Sequence, residues 1–335
     1  MIKIRDIAQL SGYSISTVSR VLNNKGDFSK ETVDKIHQVI DSLNYKPKNS
    51  ESIRSNTSYT IGLFIPEKDA FISNDPAMSN DLPNLQEEIE KKGHSVKLIT
   101  NPLLFSSQAL AYRVITDKKV DAAIVVGPYS GDNIVQLLIE NNIPYLVTNG
   151  RDFGSSWNYI DYDNYGGAFE VIHYLNSLGH KNIGIISGPP NHLVNVNRLD
   201  GCKAAFNDLK SDLYCYESGS FSFETGYEST KKLMSASKKP SAIFAFSDII
   251  ALGAIKAMSD MNLHVPQVVP IVGFDDIDMA QYSIPSLTTV RRFKYDIYQL
   301  VASSIIDLIE NRNIKNLCIT LKTELIFRDS CKPLK

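Results

Sequence analysis

Asp6-Ile7-Ala8-Gln9-Leu10-Ser11-Gly12-Tyr13-Ser14-Ile15-Ser16-Thr17-Val18-Ser19-Arg20-Val21-Leu22-Asn23 holds two short apolar stripes separated by a Ser-Gly break. With Ile4 in front, the residues Ile7, Ala8 and Leu10 predict one helix that closes at Ser11-Gly12. Ser14 is a side-chain N-cap for a second helix, Ile15 to Leu22, with Val18, Val21 and Leu22 facing inward. Further out, Ser29 caps a third helix in which Val33, Ile36, Val39, Ile40 and Leu43 keep the i, i+3, i+4, i+7 spacing. Asn44-Tyr45-Lys46-Pro47 ends it, because the residue before a proline is driven out of the α region. Helix, tight turn, helix is the arrangement that lays its second helix in a DNA major groove. In that reading Ile15, Ser16 and Arg20 meet base edges, and the Arg20 fork suits guanine O6 and N7. Thr17, Ser19, Asn23, Ser29 and Thr32 carry short donors suited to phosphate oxygens. Three helices whose Ser and Thr serve only as caps fit the same spacing, and spacing alone does not choose.

Charge leans the same way. Residues 1–58 hold nine Lys/Arg and six Asp/Glu, whereas the remaining residues hold twenty-six and thirty-one. A mildly basic head on an acidic body suits a polyanion contact confined to one end. No run approaches the ~20 apolar residues of a membrane span. The N-terminus places an acid where a signal peptide would begin its apolar stretch, so a cytoplasmic protein is expected. Cys202, Cys215, Cys318 and Cys331 show no metal-ligand spacing and are expected to be free thiols.

Residues 48–58 are polar with a single Ile, a composition that cannot build a core and reads as a linker. From Thr60 onward, apolar runs alternate with helical stretches. The runs are 61–65, 96–99, 122–126 and 143–147, then 183–186, 242–246 and 269–273. Continuous apolar strands between helices predict parallel sheets covered on both faces. Two such series predict two doubly wound lobes, with a ligand cleft beyond the carboxyl ends of the strands. Asn149, Asp248 and Asp275 follow such strands and fall at that cleft. Asp248 before Ile249-Ile250-Ala251-Leu252 is read as a helix cap, with Ser247 beside it as a ligand candidate. The fork of Arg198 can span two adjacent hydroxyls or a carboxylate.

The stretch from Asp6 to Asn23 resembles the opening signature of the lactose/galactose repressor family. The likeness continues through Thr32-Val33 and Leu43-Asn44-Tyr45-Lys46-Pro47 and extends to the end of the chain. It implies an N-terminal all-α helix-turn-helix domain plus an α/β core of two doubly wound parallel-sheet lobes, periplasmic-binding-protein-like. The expected divisions are 1–46 for the reader, 47–58 for a hinge linker and 59–335 for the effector-binding and dimerisation core. Within the core the first lobe is expected at about 59–161 and 288–320, the second at about 162–287 and 321–335. The resemblance implies a homodimer on pseudo-palindromic operator DNA, with Tyr45 among the DNA contacts. It also implies a linker that folds on the operator and wedges an apolar side chain into the minor groove, a role that falls to Ile53. Here the chain departs from the family pattern of roughly Pro-Asn-x-x-Ala-Arg-x-Leu. Asn49-Ser50-Glu51-Ser52-Ile53-Arg54 lacks the Ala-Arg pair, is one residue short and carries an acid, which Arg54 would have to pair.

The same resemblance assigns Arg198, in an Arg-x-x-Gly element, and Asp275 to the ligand. It places Asn149 where sugar-binding members commonly have an aspartate. Phe221 falls at a position whose aromatic ring stacks on the ligand, with core packing as its alternative. Phe71 and Arg292 complete the candidate set, Arg292 having a rim salt bridge as its alternative. A small polar effector, most readily a sugar inducer, is the expectation, with a corepressor-dependent regulator sensing a non-sugar metabolite as the alternative. No nucleotide-binding glycine motif, phosphate loop or nucleophile elbow follows any strand, so neither an enzyme nor a cofactor is expected. A solute-binding transport protein shares the two-lobed layout, but the DNA-reading head and the missing signal peptide argue against it.

Overall fold

The computed structural model describes residues 4–22, 28–42, 58–65, 76–100, 117, 120–210, 215–292, 297–311, 314 and 316–334. The chain divides into two compact units, Met1–Ser58 and Tyr59–Lys335.

In the first unit, α1 (Ile4–Ser11), α2 (Ile15–Leu22) and α3 (Lys30–Ser42) enclose a small core. Ile7, Ala8, Val18, Val21 and Ile36 are buried there, with Tyr13, Phe28, Val33 and Val39 packed against them. Ser14 Oγ accepts the Thr17 N–H at 3.0 Å and Ser29 Oγ accepts the Thr32 N–H at 3.3 Å, so both serines cap their helices. Gly12 takes a φ of 77°, a left-handed turn that costs glycine little. One expectation fails. Leu10 is 61% exposed, and Ser11, one residue on, is buried in its place.

The second unit contains two lobes. The sheet of the first joins β1 (Thr60–Phe64), β2 (Ser95–Ile99), β3 (Ala122–Val126), β4 (Tyr145–Thr148), β5 (Tyr159–Tyr162) and β11 (Cys318–Leu321). Their order is β11-β5-β4-β3-β1-β2, parallel throughout. Alternation along β1 and β3 feeds two apolar clusters. Ile61, Leu63 and Ile124 meet α4 (Pro76–Lys91) and α11 (Ile297–Glu310), while Phe64, Ala123 and Val125 meet α5 (Ile134–Glu140). The second lobe's sheet has the order β7-β6-β8-β9, formed by β6 (Ile183–Ser187), β7 (Cys215–Ser218), β8 (Ala242–Ala245) and β9 (Ile271–Val272). Around it lie α6 (Asn164–Ser177), α7 (Leu193–Asp208), α8 (Phe223–Ser235), α9 (Asp248–Asp260) and the short α10 (Asp278–Tyr282).

The chain passes between the lobes three times, after β5, after β10 (Thr289–Arg292) and after β11. β10 pairs antiparallel with β12 (Thr323–Ile326). Val290 lies in the second lobe's core and Thr289 donates to Asp248 there.

Candidate functional site

The first unit presents α2 with Ile15 49% exposed and with Ser16 and Arg20 exposed beside it. The Arg20 guanidinium stands 5.5 Å above the Phe28 ring, a cation–π contact that steadies the side chain near the surface. Thr17, Ser29 and Thr32 are tied into capping. Ser14 and Thr17 hydroxyls lie 2.8 Å apart, and those of Ser29 and Thr32 2.9 Å apart. The side chain of Ser19, and all of Asn23, Tyr45, Glu51, Ile53, Arg54 and Phe71, lie outside what the structure describes.

In the second unit, polar side chains from both lobes line a cavity beyond the carboxyl ends of the strands. Five of the expected ligand residues, Asn149, Arg198, Phe221, Asp275 and Arg292, line it. Asn149 follows β4 with a φ of 55°, and Asp275 follows β9 with a φ of 113°. Both are left-handed conformations that non-glycine residues adopt at a cost, and such residues concentrate at functional sites. Asp275 is held there by its N–H, which donates to Val290 O at 2.8 Å, and by its carboxylate partners.

Arg198, 3% exposed, organises the second-lobe wall. Its Nε donates to Asn164 Oδ1 at 2.9 Å, its Nη1 to Phe246 O, and its Nη2 to Asp275 Oδ1 at 3.0 Å. Its plane lies 3.6 Å from the centre of the Phe274 ring. Three protein acceptors hold the guanidinium while it faces the cavity. The Arg-x-x-Gly spacing has a structural cause, because a Cβ on Gly201 would sit 2.2 Å from Tyr165 O. Only glycine lets α7 approach α6 closely enough for Arg198 to reach Asn164. Gly188 plays the same part for Phe221, whose ring would lie 2.5 Å from an added Cβ.

Charges alternate across the cavity. Asp275 Oδ1 also takes Arg292 Nε at 3.3 Å, and Arg292 Nη1 reaches Asp81 Oδ2 at 3.2 Å. Asp81 belongs to α4 in the first lobe and accepts the Tyr298 hydroxyl of α11 at 2.5 Å. Arg292 is therefore both a cavity residue and a salt-bridge partner, which joins its two expected roles.

The cap expected at Asp248 is taken by Ser247, one residue earlier. Ser247 is the N-cap of α9, its hydroxyl accepting the Ile250 N–H at 3.4 Å, and it does not line the cavity. Asp248 is fully buried and accepts the Ile277 N–H at 2.9 Å and the Thr289 hydroxyl, pinning the loop that carries Asp275. Burial, and after it the charge of Asp275, push the Asp248 carboxyl well above the usual range.

Six lining residues escaped the sequence reading: Ala77, Asp81, Tyr162, Asn164, His192 and Val194. His192 packs edge-on to Phe221 at 5.4 Å and to Tyr129 at 5.0 Å. Burial, reinforced by Arg198, takes its imidazole down to about 3, so it is neutral at physiological pH. Behind Asn149, Asp161 accepts the Gly150 N–H at 3.1 Å and the Tyr162 N–H at 2.8 Å, and burial pushes it up to about 6. Asp163, its neighbour in sequence, caps α6 by accepting the Gly166 N–H at 3.0 Å. Asp276 is taken up by Arg291 and Arg328 at 2.6 Å each. Among the described residues no helix is long and apolar enough to cross a membrane.

Comparison with known proteins addresses both units. Residues 3–48 match the family model described as bacterial regulatory proteins, lacI family, and residues 172–331 match a periplasmic binding protein-like domain. The chain is similar to the HTH-type transcriptional regulator MalR of Clostridium butyricum, 34% identical over 98% of each chain. It is 29% identical to the HTH-type transcriptional repressor PurR of Haemophilus influenzae over 100% of each. Among solved structures it resembles a transcriptional regulator CelR–cellobiose complex, with a TM-score of 0.73 and 25% identity, covering 99% of this chain and 100% of that one.

Proposed function

Since this chain belongs to the lacI family of bacterial regulatory proteins and is a ligand-responsive, DNA-binding transcriptional regulator, we propose that it is a repressor released from DNA by a neutral sugar. The observation that carries this reading is the charge balance of the cavity. Asp81, Arg292, Asp275 and Arg198 alternate in sign, and each carboxylate already has a guanidinium partner. An anionic ligand would have to displace a buried carboxylate, and a cation a guanidinium. A polyhydroxy compound can donate to the acids and accept from the bases without leaving any charge unpaired. Phe221 offers an aromatic face for the C–H side of a sugar ring.

On the DNA side, Ile15, Ser16 and Arg20 are the groups that α2 offers to base edges, and the two capped helix starts offer N–H groups to phosphates. Thr17, Ser19, Asn23, Ser29, Thr32 and Tyr45 would add backbone contacts, and Ile53 would supply the minor-groove wedge. A homodimer on a two-fold operator fits this reader, because one such domain buries little surface. In support, Met279, Tyr282 and Ile284 stand 55%, 77% and 92% exposed within six residues of the second lobe, an apolar surface suited to a second copy. The sugar would favour one arrangement of the lobes, and the equilibrium between DNA-competent and incompetent states would shift through residues 47–58.

A thermal-shift screen of neutral sugars against nucleobases and amino acids, repeated in the presence of operator DNA, tests the reading. A sugar should raise the melting temperature and weaken operator binding. A non-sugar that raises it and tightens operator binding would overturn the proposal in favour of a corepressor.

A further inference from the structure

The cavity just described opens into a second, larger one of about 400 Å³, bounded by α4, α11 and the loop after β9. Ala77, Asp81, Tyr162, Asp275 and Arg292 line both, so the two are chambers of one cleft with the Asp81–Arg292 pair at their junction. Each chamber has its own aromatic side chain, Phe221 in the inner and Tyr298 in the outer, with Tyr162 between them. Each also has its own hydrogen-bonding groups. In the outer chamber Asn84 and Gln299 supply planar carboxamides, and Glu88 and Asp278 supply carboxylates. The α4 residues Ala77, Asp81, Asn84 and Glu88 follow helical spacing, so a single face of that helix runs from the inner chamber to the outer mouth.

The outer chamber also differs in charge. Six acids line it, against Lys91 and Arg292. Lys91 is shared between Glu87 and Glu88 at 2.8 Å each, and Arg292 is committed to Asp81 and Asp275. A phosphate entering here meets like charge in a concave site, where the field is less screened than on an open surface.

We propose that the effector is a neutral saccharide of at least two rings, the first held between Phe221 and the Asp275–Arg198 pair, the second in the outer chamber against Tyr298 and Asn84. The outer ring carries no phosphate. This deepens the sugar reading above and rests on it.

The test is isothermal titration of the full chain with glucose, galactose, maltose, cellobiose, lactose and maltose 6′-phosphate. At least one neutral disaccharide should bind about 10-fold or more tightly than its component monosaccharides, a difference of roughly 1.4 kcal/mol. Maltose 6′-phosphate should bind no better than glucose. Asn84 is exposed, so Asn84→Trp can fill the chamber without disturbing the core, and it should bring the disaccharide down to the monosaccharide's affinity. A monosaccharide as tight as every disaccharide, a phosphorylated disaccharide as tight as its parent, or an Asn84→Trp protein with undiminished disaccharide affinity each overturns the two-ring proposal alone. Failure of all six sugars to bind overturns the sugar reading with it.

Discussion

The two units solve opposite problems with the same kinds of side chain. On α2 the groups proposed to meet DNA are exposed, and the Arg20 guanidinium stands 5.5 Å above the Phe28 ring. In the cleft the corresponding arginine, Arg198, is 3% exposed and bonded to three acceptors. DNA is large and brings its own charge, so a reader needs only to present donors at the right spacing. A small effector brings little, so its site must be built beforehand, with every polar group already placed and paired. The cost of misplacing a group differs accordingly. An error in the cleft is felt by the fold, and an error on α2 is felt only by the partner.

Three measurements can break or sharpen that contrast, beginning with the largest effect. Arg198→Ala leaves Asp275, Asn164 and Phe246 O without their common donor, and removing one member of a buried ion pair costs about 3–5 kcal/mol. Urea unfolding of the second unit should show that loss, and a change under about 1 kcal/mol would mean that the guanidinium is not structurally enclosed.

His192 gives the next. The folded state keeps its imidazole neutral down to about 3, whereas the unfolded chain takes up the proton near the ordinary value of about 6.5. Stability from this group is therefore constant above pH 6.5 and falls as the pH drops below it, by about 1.4 kcal/mol per unit. Between pH 6.5 and 4.5 the wild type should lose about 2.3 kcal/mol relative to His192→Phe, which keeps an aromatic ring against Phe221. Asp161 acts with the opposite sign, since its folded value of about 6 favours the protonated, folded form as the pH falls. It is common to both proteins and leaves the difference intact. Parallel acid limbs for the two would show that the histidine is not held neutral.

The smallest effect on the fold belongs to Arg20→Ala. Its removal should change stability by no more than about 0.5 kcal/mol. Discrimination between operator and random DNA at fixed salt should fall by about 1–3 kcal/mol, roughly 10-fold or more. Unchanged sequence preference would remove Arg20 from the recognition surface.

Legibility in the chain follows the same division. Helix caps and apolar stripes are local signals, so the three helices of the first unit and the buried central strands could be read directly. β5, β7, β10, β11 and β12 could not, because stretches such as Tyr-Ile-Asp-Tyr or Cys-Tyr-Glu-Ser carry neither an apolar run nor clean alternation. The cleft was legible where a polar residue ends an apolar strand, as at Asn149 and Asp275. It was silent at Asp81, an acid on an otherwise ordinary amphipathic helix, and at His192, a loop residue with no partner in sequence. Their meaning comes from distant segments: Asp81 from Arg292, and His192 from Phe221 and Arg198. The shift of the cap from Asp248 to Ser247 reflects a helix beginning one residue earlier than its composition implied.

The three passages of chain between the lobes have a mechanical consequence. One connection would be a swivel, free to turn in every direction. Three adjacent ones, laced together where Leu321 O accepts the Asp163 N–H at 2.8 Å and where β10 pairs with β12, behave as a strap hinge with one soft axis. Whatever occupies the cleft is then reported outward as a single angle, so chemically different occupants of like size would register as the same signal.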